Sequence, residues 1–490
     1  MEEITTIDLD EIQSLREDSK LEAKAALNDL PHSFWETYSS FANTNGGLVL
    51  LGVRESSSHE LSVTGVINPD KLIKQLWDGL NNRNLVSANI LTESDIVIES
   101  EGDLKVISIR IPQANRETCP LYIRGDLFRG TYRRNGEGDY RCSQDEVKAM
   151  LRDSATGTPD RTTLPHIPLD ALSTETIDAY RTELHLAHPQ HPWARLSNKE
   201  LLMRLGAAEY SKEDGELHPT RAGLLMFGEE WRITSEFPYY FLEYREVLSK
   251  RRWDDRIVTS DGEWSGNILD FWLRVAPRLT SELKRPFTLD KNLRREDDTP
   301  LHKALREALA NALVHADYYG TSNTTIIRYD DSVAFTNAGT LLLPAEVVIA
   351  GGLSETRNPT IAKMFNLLGI GEKAGSGFDA MRAGCDFAKV PYPELSESFA
   401  PDITQLVFHL APSTPTAATA NVHTVAGVKR SSPEEQVTSL AKERGTIYRR
   451  DVESLLGTSK ASASNLLARL VRDGSLKRIG NGRSTAYRLA

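Results

Sequence analysis

Residues 411–433, APSTPTAATANVHTVAGVKRSSP, constrain this chain more than any other stretch. They are rich in Ala, Thr, Pro and Ser, with little to bury. Such a segment cannot offset the entropy lost when a backbone is ordered. The chain therefore cannot close over a single core. It must fold as a body before this stretch and a small module, 434–490, after it, with 411–433 as a flexible tether.

The body has ample material for several cores. The chain has 490 residues, 40% of them hydrophobic and 26% charged. At roughly 150 residues per domain, about three domains are expected. Composition and punctuation divide the body into 1–153, 166–295 and 296–410, with 154–165, SATGTPDRTTLP, as a linker. In the first segment, SFWETYSSFANTNGG has helical spacing and a stop signal, and LVLLGV follows as a buried strand. DIVIES, LKVISIRI and PLYIRGDLFRGTYRR read as further strands. SQDEVKAMLRD reads as a closing helix whose Ser143 and Glu146 have capping-box spacing. Later, PLHKALREALANALVHADYY reads as a helix, and NTTIIRYDD, SVAFTNAG and DITQLVFHL as strands. The fold class expected is α+β multidomain.

Charge is uneven. The whole chain carries −11, yet the segment from Arg430 to Ala490 has 12 Lys+Arg against 6 Asp+Glu, a local +6. A basic module thus survives an acidic average. Within it, three helical stretches precede two strand-like runs around Gly-Asn-Gly, which is the order of a winged helix-turn-helix. Leu466, Leu467, Leu470 and Val471 would face its core. Lys460, Ser462 and Asn465 would face a DNA groove, and Arg478 and Arg483 would meet phosphates. A contact surface for protein is the alternative. Cys119, Cys142 and Cys385 are few and scattered, as suits a reducing, cytoplasmic setting. The acidic start MEEITTIDLDEI is unlike a targeting peptide, and no apolar run reaches membrane-spanning length.

Three constellations carry candidate chemistry. The first is Glu17 and Glu22 in LREDSKLEAKAAL, with Lys24 beside them and Glu55 ending the run FANTNGGLVLLGVRE. Three carboxylates could hold Mg²⁺ or Mn²⁺ through hard oxygen ligands and activate water against a phosphodiester. Acids at a helix start, pairing with Lys20 and Lys24, are the plainer reading. The second is RGTYRRNGEGDYR, where Arg129, Arg133 and Arg134 interleave with tyrosines, a pattern suited to a phosphate backbone and exposed bases. The third is the helix REALANALVHADYY, on which Glu307, Asn311 and His315 recur every four residues and share a face. Downstream, GEKAGSGFDAM offers glycines, among them Gly375 and Gly377, that would let backbone amides approach phosphates.

These stretches resemble known families. REDSKLEAKAAL followed by FWETYSSFANTNGGLVLLGVRE resembles the AlbA-type domain shared with the Schlafen proteins. In Schlafens with nuclease activity, two glutamates five apart and a later acid form a metal-dependent RNA-cleaving site. The resemblance therefore implies Glu17, Glu22 and Glu55 as metal ligands, with Lys24 steadying phosphate. Ala23 stands where that family usually has an aromatic, and Glu55 where Asp is commoner. Residues 198–410 resemble bacterial ATP-binding or RecG-like transcriptional regulators with a GHKL-like domain. That resemblance implies ATP held by Glu307, Asn311, His315, Asn337, Gly339, Gly375 and Gly377. TNAG, with Asn337 and Gly339, lacks the family's adenine-reading Asp.

Two functions follow as expectations. One is a divalent-metal endoribonuclease acting on structured RNA such as tRNA, in antiphage defence. The other is a nucleotide-responsive, DNA-binding transcription regulator without catalysis. Either suits a homo-oligomer. If the tether is placed correctly, limited proteolysis will cut first within 411–433. A first cut within the body would show the boundary to be misplaced.

Overall fold

The computed structural model describes residues 19–56, 60–101, 104–155, 157–249, 253–281, 283, 298–371 and 377–411, together with 437, 449, 467, 470, 476–479 and 486–489. It forms two compact units, Met1–Ser413 and Thr414–Ala490. The architecture is mixed α+β, with twelve α-helices and eighteen strands among the described residues. None of these helices is long and apolar enough to cross a membrane.

The first unit opens with β1 (Leu21–Lys24), α1 (Phe34–Ala42), β2 (Gly47–Leu51), β3 (Val53–Glu55), β4 (Leu61–Val63) and α2 (Pro69–Leu80). Next come β5 (Ile96–Glu101), β6 (Leu104–Ile111), β7 (Tyr132–Asn135), β8 (Gly138–Arg141) and α3 (Gln144–Ser154). Four of these strands make a sheet in the order β1-β2-β6-β5. The apolar run of β2 lies at its centre, paired with β1 in parallel and with β6 in antiparallel. Phe34, Tyr38 and Phe41 of α1 are fully buried against it. The NTNGG stop has a structural task. Asn43 donates to the carbonyls of Leu121 (2.7 Å) and Tyr132 (3.1 Å) and accepts from Leu121 N (2.8 Å). It thereby fixes the segment that leads into β7. Ser143 and Glu146 form both halves of the capping box of α3.

Two expectations are corrected here. Residues 21–24 form a strand rather than a helix start, because the exposed edge of β2 supplies ladder partners that outweigh local propensity. PLYIRGDLFRGTYRR is not a continuous strand. Arg124 and Gly125 both adopt positive φ, 60° and 66°, which breaks the extended run, and the ladder begins only at Tyr132.

The rest of the unit contains α4 (Thr174–Ala187), α5 (Asn198–Leu205), β9 (Ala208–Tyr210), β10 (Leu217–Pro219), α6 (Arg221–Phe227) and α7 (Glu230–Glu236). It continues with β11 (Leu242–Val247), β12 (Asp255–Val258), α8 (Ile268–Thr280), α9 (Pro300–His315), β13 (Thr324–Tyr329) and β14 (Ser332–Ala338). It closes with α10 (Ala345–Ala350), α11 (Pro359–Leu367), α12 (Gly377–Ala388), β15 (Glu394–Phe399) and β16 (Asp402–His409). A six-stranded sheet runs β12-β11-β13-β14-β16-β15. Only β11 and β13 pair in parallel within it. One core extends from Leu164 to Phe408, with α8, α9 and α12 packed into it. The division drawn at 295/296 thus passes between strands of one sheet.

The segment read as a linker is built into this body. Asp160 is almost fully buried, and its carboxylate accepts from Thr360 N (2.7 Å), Ile361 N (3.0 Å) and the Thr360 hydroxyl (3.0 Å). It caps α11 from a distance. The cap position itself, Asn358, turns its amide to the carbonyls of Val314 and Ala316 instead. Removing this cap leaves buried donors unsatisfied, so Asp160→Ala is expected to lower stability by about 1–3 kcal/mol, read from the denaturant midpoint.

Candidate ligand pocket and nucleic-acid face

Helix α9 presents Glu307, Asn311 and His315 along one side because the fourfold spacing nearly matches the helical repeat. That side lines a cavity of about 150 Å³. Asn337 of β14, Thr404 and Leu406 of β16, and Gly377, Phe378 and Met381 of α12 complete much of its wall. Residues far apart in sequence, and singled out for one chemistry, therefore meet in space. Asn311 donates to the Glu307 carboxylate at 3.2 Å. The amino end of α12 abuts both. A Cβ on Gly377 would come within 2.8 Å of Glu307 Oε1 and 3.0 Å of Asn311 Nδ2. Gly377, the first described residue of α12, thus lies directly against the polar end of the pocket, and a side chain there would displace the Glu307 and Asn311 head groups. Asn337 is buried, and its amide donates to Ala338 O at 3.2 Å.

Gly339 contributes indirectly. Its φ is +91°, and a Cβ there would lie 2.8 Å from the Arg357 guanidinium. Its task is to admit Arg357, a pocket residue that sequence reasoning did not single out. Arg357 donates to His315 O (2.6 Å) and Thr340 O (2.9 Å), and grips both oxygens of Asp153 at 2.8 and 2.7 Å. No motif marks it, since it is a lone arginine before the Asn-Pro that opens α11. Gly375 lies outside the described residues.

The proposed metal ligands are differently placed. Glu22 and Lys24 lie on strand β1, where residues two apart share a face. Lys24 Nζ is 2.8 Å from Glu22 Oε1, and Arg134 Nη2 is 2.9 Å from Glu22 Oε2. Both oxygens of Glu22 therefore have cationic partners. Arg134 also pairs with Asp139 at 3.0 Å. Glu55 is half-buried at the end of β3. Glu17 lies outside the described residues. Among the described residues, no group of three or more His, Cys, Asp or Glu side chains could hold a metal ion.

The arginine-tyrosine stretch divides. Arg133 and Arg134 are buried, so they do not form an exposed phosphate-binding face. They are adjacent on β7 and so face opposite sides of the strand, and acids on both sides draw them inward. Arg133 pairs with Asp402 at 2.5 Å and Arg134 with Glu22 and Asp139. Arg129 is exposed. Tyr140 and Arg141 of the same stretch join it at the surface, as do Arg124 and Phe128, which sequence reasoning did not single out. Arg124 and the Tyr132 hydroxyl both reach Glu36, at 3.2 and 3.4 Å, and the Arg141 guanidinium lies over the Tyr132 ring at 6.0 Å.

In the second unit, β17 (Leu476–Ile479) and β18 (Ala486–Leu489) form an antiparallel hairpin. Leu467 and Leu470 are helical and buried. The backbone of Arg478 belongs to β17, opposite Tyr487. Lys460, Ser462, Asn465 and Arg483 lie outside the described residues.

Four family models match successive segments. Residues 17–143 match Schlafen, AlbA_2. Residues 148–243 match a domain of unknown function (DUF8451). Residues 322–403 match "Putative ATP-dependent DNA helicase recG C-terminal". Residues 435–490 match "Transcriptional regulator DIP2311-like, C-terminal domain". The chain thus carries a nucleic-acid-related Schlafen-type domain and a regulator-like terminal domain. The DIP2311 protein of Corynebacterium diphtheriae is similar at 17% identity and TM-score 0.40, over 96% of this chain and 91% of that one. The N-terminal domain of a "Putative ATP-dependent DNA Helicase RecG-related Protein" from Nitrosomonas europaea is similar at 28% identity and TM-score 0.21, over 27% of this chain and 90% of that one. No curated protein matches the chain.

The pocket has a titration of its own. Burial, reinforced by the Arg357 charge, lowers His315 from 6.5 to about 4. The unfolded chain takes up this proton below pH 6.5, whereas the folded protein refuses it until about pH 4. Stability from this source is complete above pH 6.5 and is lost as pH falls toward 4. His315→Gln should flatten that acid limb by on the order of 2 kcal/mol, measured by thermal unfolding across the window.

Proposed function

We propose that the protein is a nucleic-acid-binding regulator governed by an adenine nucleotide in the α9–α12 pocket. The observation that supports this reading is the meeting of Glu307, Asn311, Asn337 and the amino end of α12 around one pocket. The cradle fits a phosphate group. Gly377 sets the amino end of α12 against Glu307 and Asn311, where the free amides of a helix start would meet a phosphate. When bound, the nucleotide supplies a triphosphate and its divalent ion. Asn311 would present an amide oxygen to that ion, while Glu307 holds the Asn311 amide in orientation. Asn337, standing where an acid is usual, has both a donor and an acceptor for a base edge. His315, neutral at pH 7, adds no charge beside it.

The nucleic-acid role belongs to the flanking modules. Exposed Arg124, Arg129 and Arg141, with Phe128 and Tyr140, combine phosphate-seeking charge with rings on which bases stack. The basic terminal module suits duplex DNA as a winged helix, with Lys460, Ser462, Asn465, Arg478 and Arg483 at the contact. Transcription regulation is the setting that joins these parts, with the protein as a homo-oligomer in the cytoplasm.

The hydrolytic reading, cleavage of structured RNA with Mg²⁺ or Mn²⁺ in antiphage defence, has one specific support. Glu22 has a cation within 3 Å of each carboxylate oxygen, Lys24 on one and Arg134 on the other, a mixture of charges that a phosphodiester site would also need. It requires Glu22 to exchange those partners for a metal.

One pair of assays separates the readings. Calorimetric titration with a non-hydrolysable ATP analogue and Mg²⁺ should show saturable binding, weakened about tenfold or more by Asn337→Leu and by Asn311→Ala. No binding would refute the regulatory reading. Incubation of a tRNA with Mn²⁺ should leave it intact. Cleavage abolished by Glu17→Ala and by the shape-conserving Glu22→Gln would instead establish the nuclease.

A further inference from the structure

The residues that line the pocket all fall within 307–406, yet several of them are held from outside that span. Arg357 joins three parts of the wall: the end of α9 through His315 O, the loop after β14 through Thr340 O, and its own segment. Two further donors go to Asp153, at the carboxyl end of α3. Helix α3 in turn belongs mechanically to the amino-terminal domain. Val147 and Met150 pack with Cys142 and Leu127, and Arg116 hydrogen-bonds the carbonyls of Asp153 and Ala155. The same Arg116 lies 3.6 Å from Glu355, another pocket residue.

Two more ion pairs repeat the pattern. Arg152 holds Asp317 at 2.7 Å, and Asp317 N donates to Ala338 O at 2.9 Å. Arg133 holds Asp402 at 2.5 Å, and Asp402 O accepts from Gly339 N at 3.0 Å. The turn at Gly339, against which Arg357 rests, is therefore bracketed by two acids pinned from the amino-terminal side. These are bridges with little solvent around their guanidinium or carboxylate partners, so they resist screening.

We infer that the ligand pocket is composite in its support: its lining comes from one domain, while the placement of that wall is set by the amino-terminal nucleic-acid module, with Arg116 and Asp153 as positioning residues. Resting on the nucleotide reading above, the inference has a thermodynamic consequence. If the module's placement decides the pocket's shape, then filling the pocket must bias the module's placement by the same coupling free energy. The device is a clamp with two ends. Arg357 reads the pocket, and Asp153 reports to α3. Neither residue needs to touch a substrate.

The test uses full-length protein and amide hydrogen exchange, which needs no ligand for its first arm. Asp153→Asn, which keeps shape and removes charge, should speed exchange at 340–343 and 353–357 about tenfold or more, and Asp153→Glu should restore it. Arg116→Gln is the milder companion should Asp153→Asn fail to fold. Unchanged exchange in the folded variants would overturn the inference, whatever the pocket binds. The second arm adds the ATP analogue with Mg²⁺. Protection should spread from the pocket into 144–155 in the native protein and stay confined to the pocket in Asp153→Asn. Protection that stops at the pocket in the native protein would also overturn the inference. Absence of any nucleotide-dependent protection would refute the nucleotide reading, leaving the first arm to decide the composite wall.

Discussion

The structure around the pocket depends on one buried cation. Arg357 is nearly enclosed, and burial alone would discourage its charge. The Asp153 carboxylate opposes that, followed by the charges of Asp317 and Asp402, and the guanidinium is held above its ordinary pKa. A planar fork facing a carboxylate satisfies two donors at once, and two backbone carbonyls take two others. Taking away one partner of such a pair leaves an uncompensated charge, at a cost of about 3–5 kcal/mol. That asymmetry explains why four segments from different parts of the chain remain together: α3, the end of α9, the turn at Gly339 and the start of α11.

A second charged cluster, around Arg134, follows the same rule with a different outcome. Glu22, Lys24, Asp139 and Arg134 are all largely withdrawn from solvent. Each acid there answers a cation, and the Thr37 hydroxyl donates to Asp139 at 2.6 Å. A carboxylate so engaged is poor at recruiting a metal, because the ion must displace partners that are already desolvated.

Sequence periodicity made much of this visible. The face of α9 carrying Glu307, Asn311 and His315 was readable because four-residue spacing has one meaning on a helix. The strands β2, β6, β13, β14 and β16 were readable because β-branched and other apolar residues fill short stretches between turn signals. What escaped was tertiary in origin. LEAK has no strand signature; β2 makes it a strand. SATGTPDRTTLP has a linker's composition, yet Asp160 within it finds two helix amides about two hundred residues away. Arg133 and Arg134 sit in a surface-like pattern and are buried because Asp402, Glu22 and Asp139 receive them. Charged residues are legible as charge, whereas their partners become legible only in three dimensions.

The distribution of these partners bears on how such a chain can regulate anything. A module joined to a pocket by apolar packing alone would slide with little energetic discrimination between positions. One joined by geometrically exact, partly buried ion pairs has discrete arrangements, since a displacement of a few ångströms leaves each charge without its counterpart. Arg133, Arg152 and Asp153 supply three such contacts from one side, to Asp402, Asp317 and Arg357 on the other, and Arg116 adds a fourth, looser one to Glu355. They converge on the turn at Gly339 and the segment before α11, the same elements that close the pocket. A ligand that shifts that turn must therefore either keep all four contacts or break several together. That is the physical condition for a two-state response rather than a graded one.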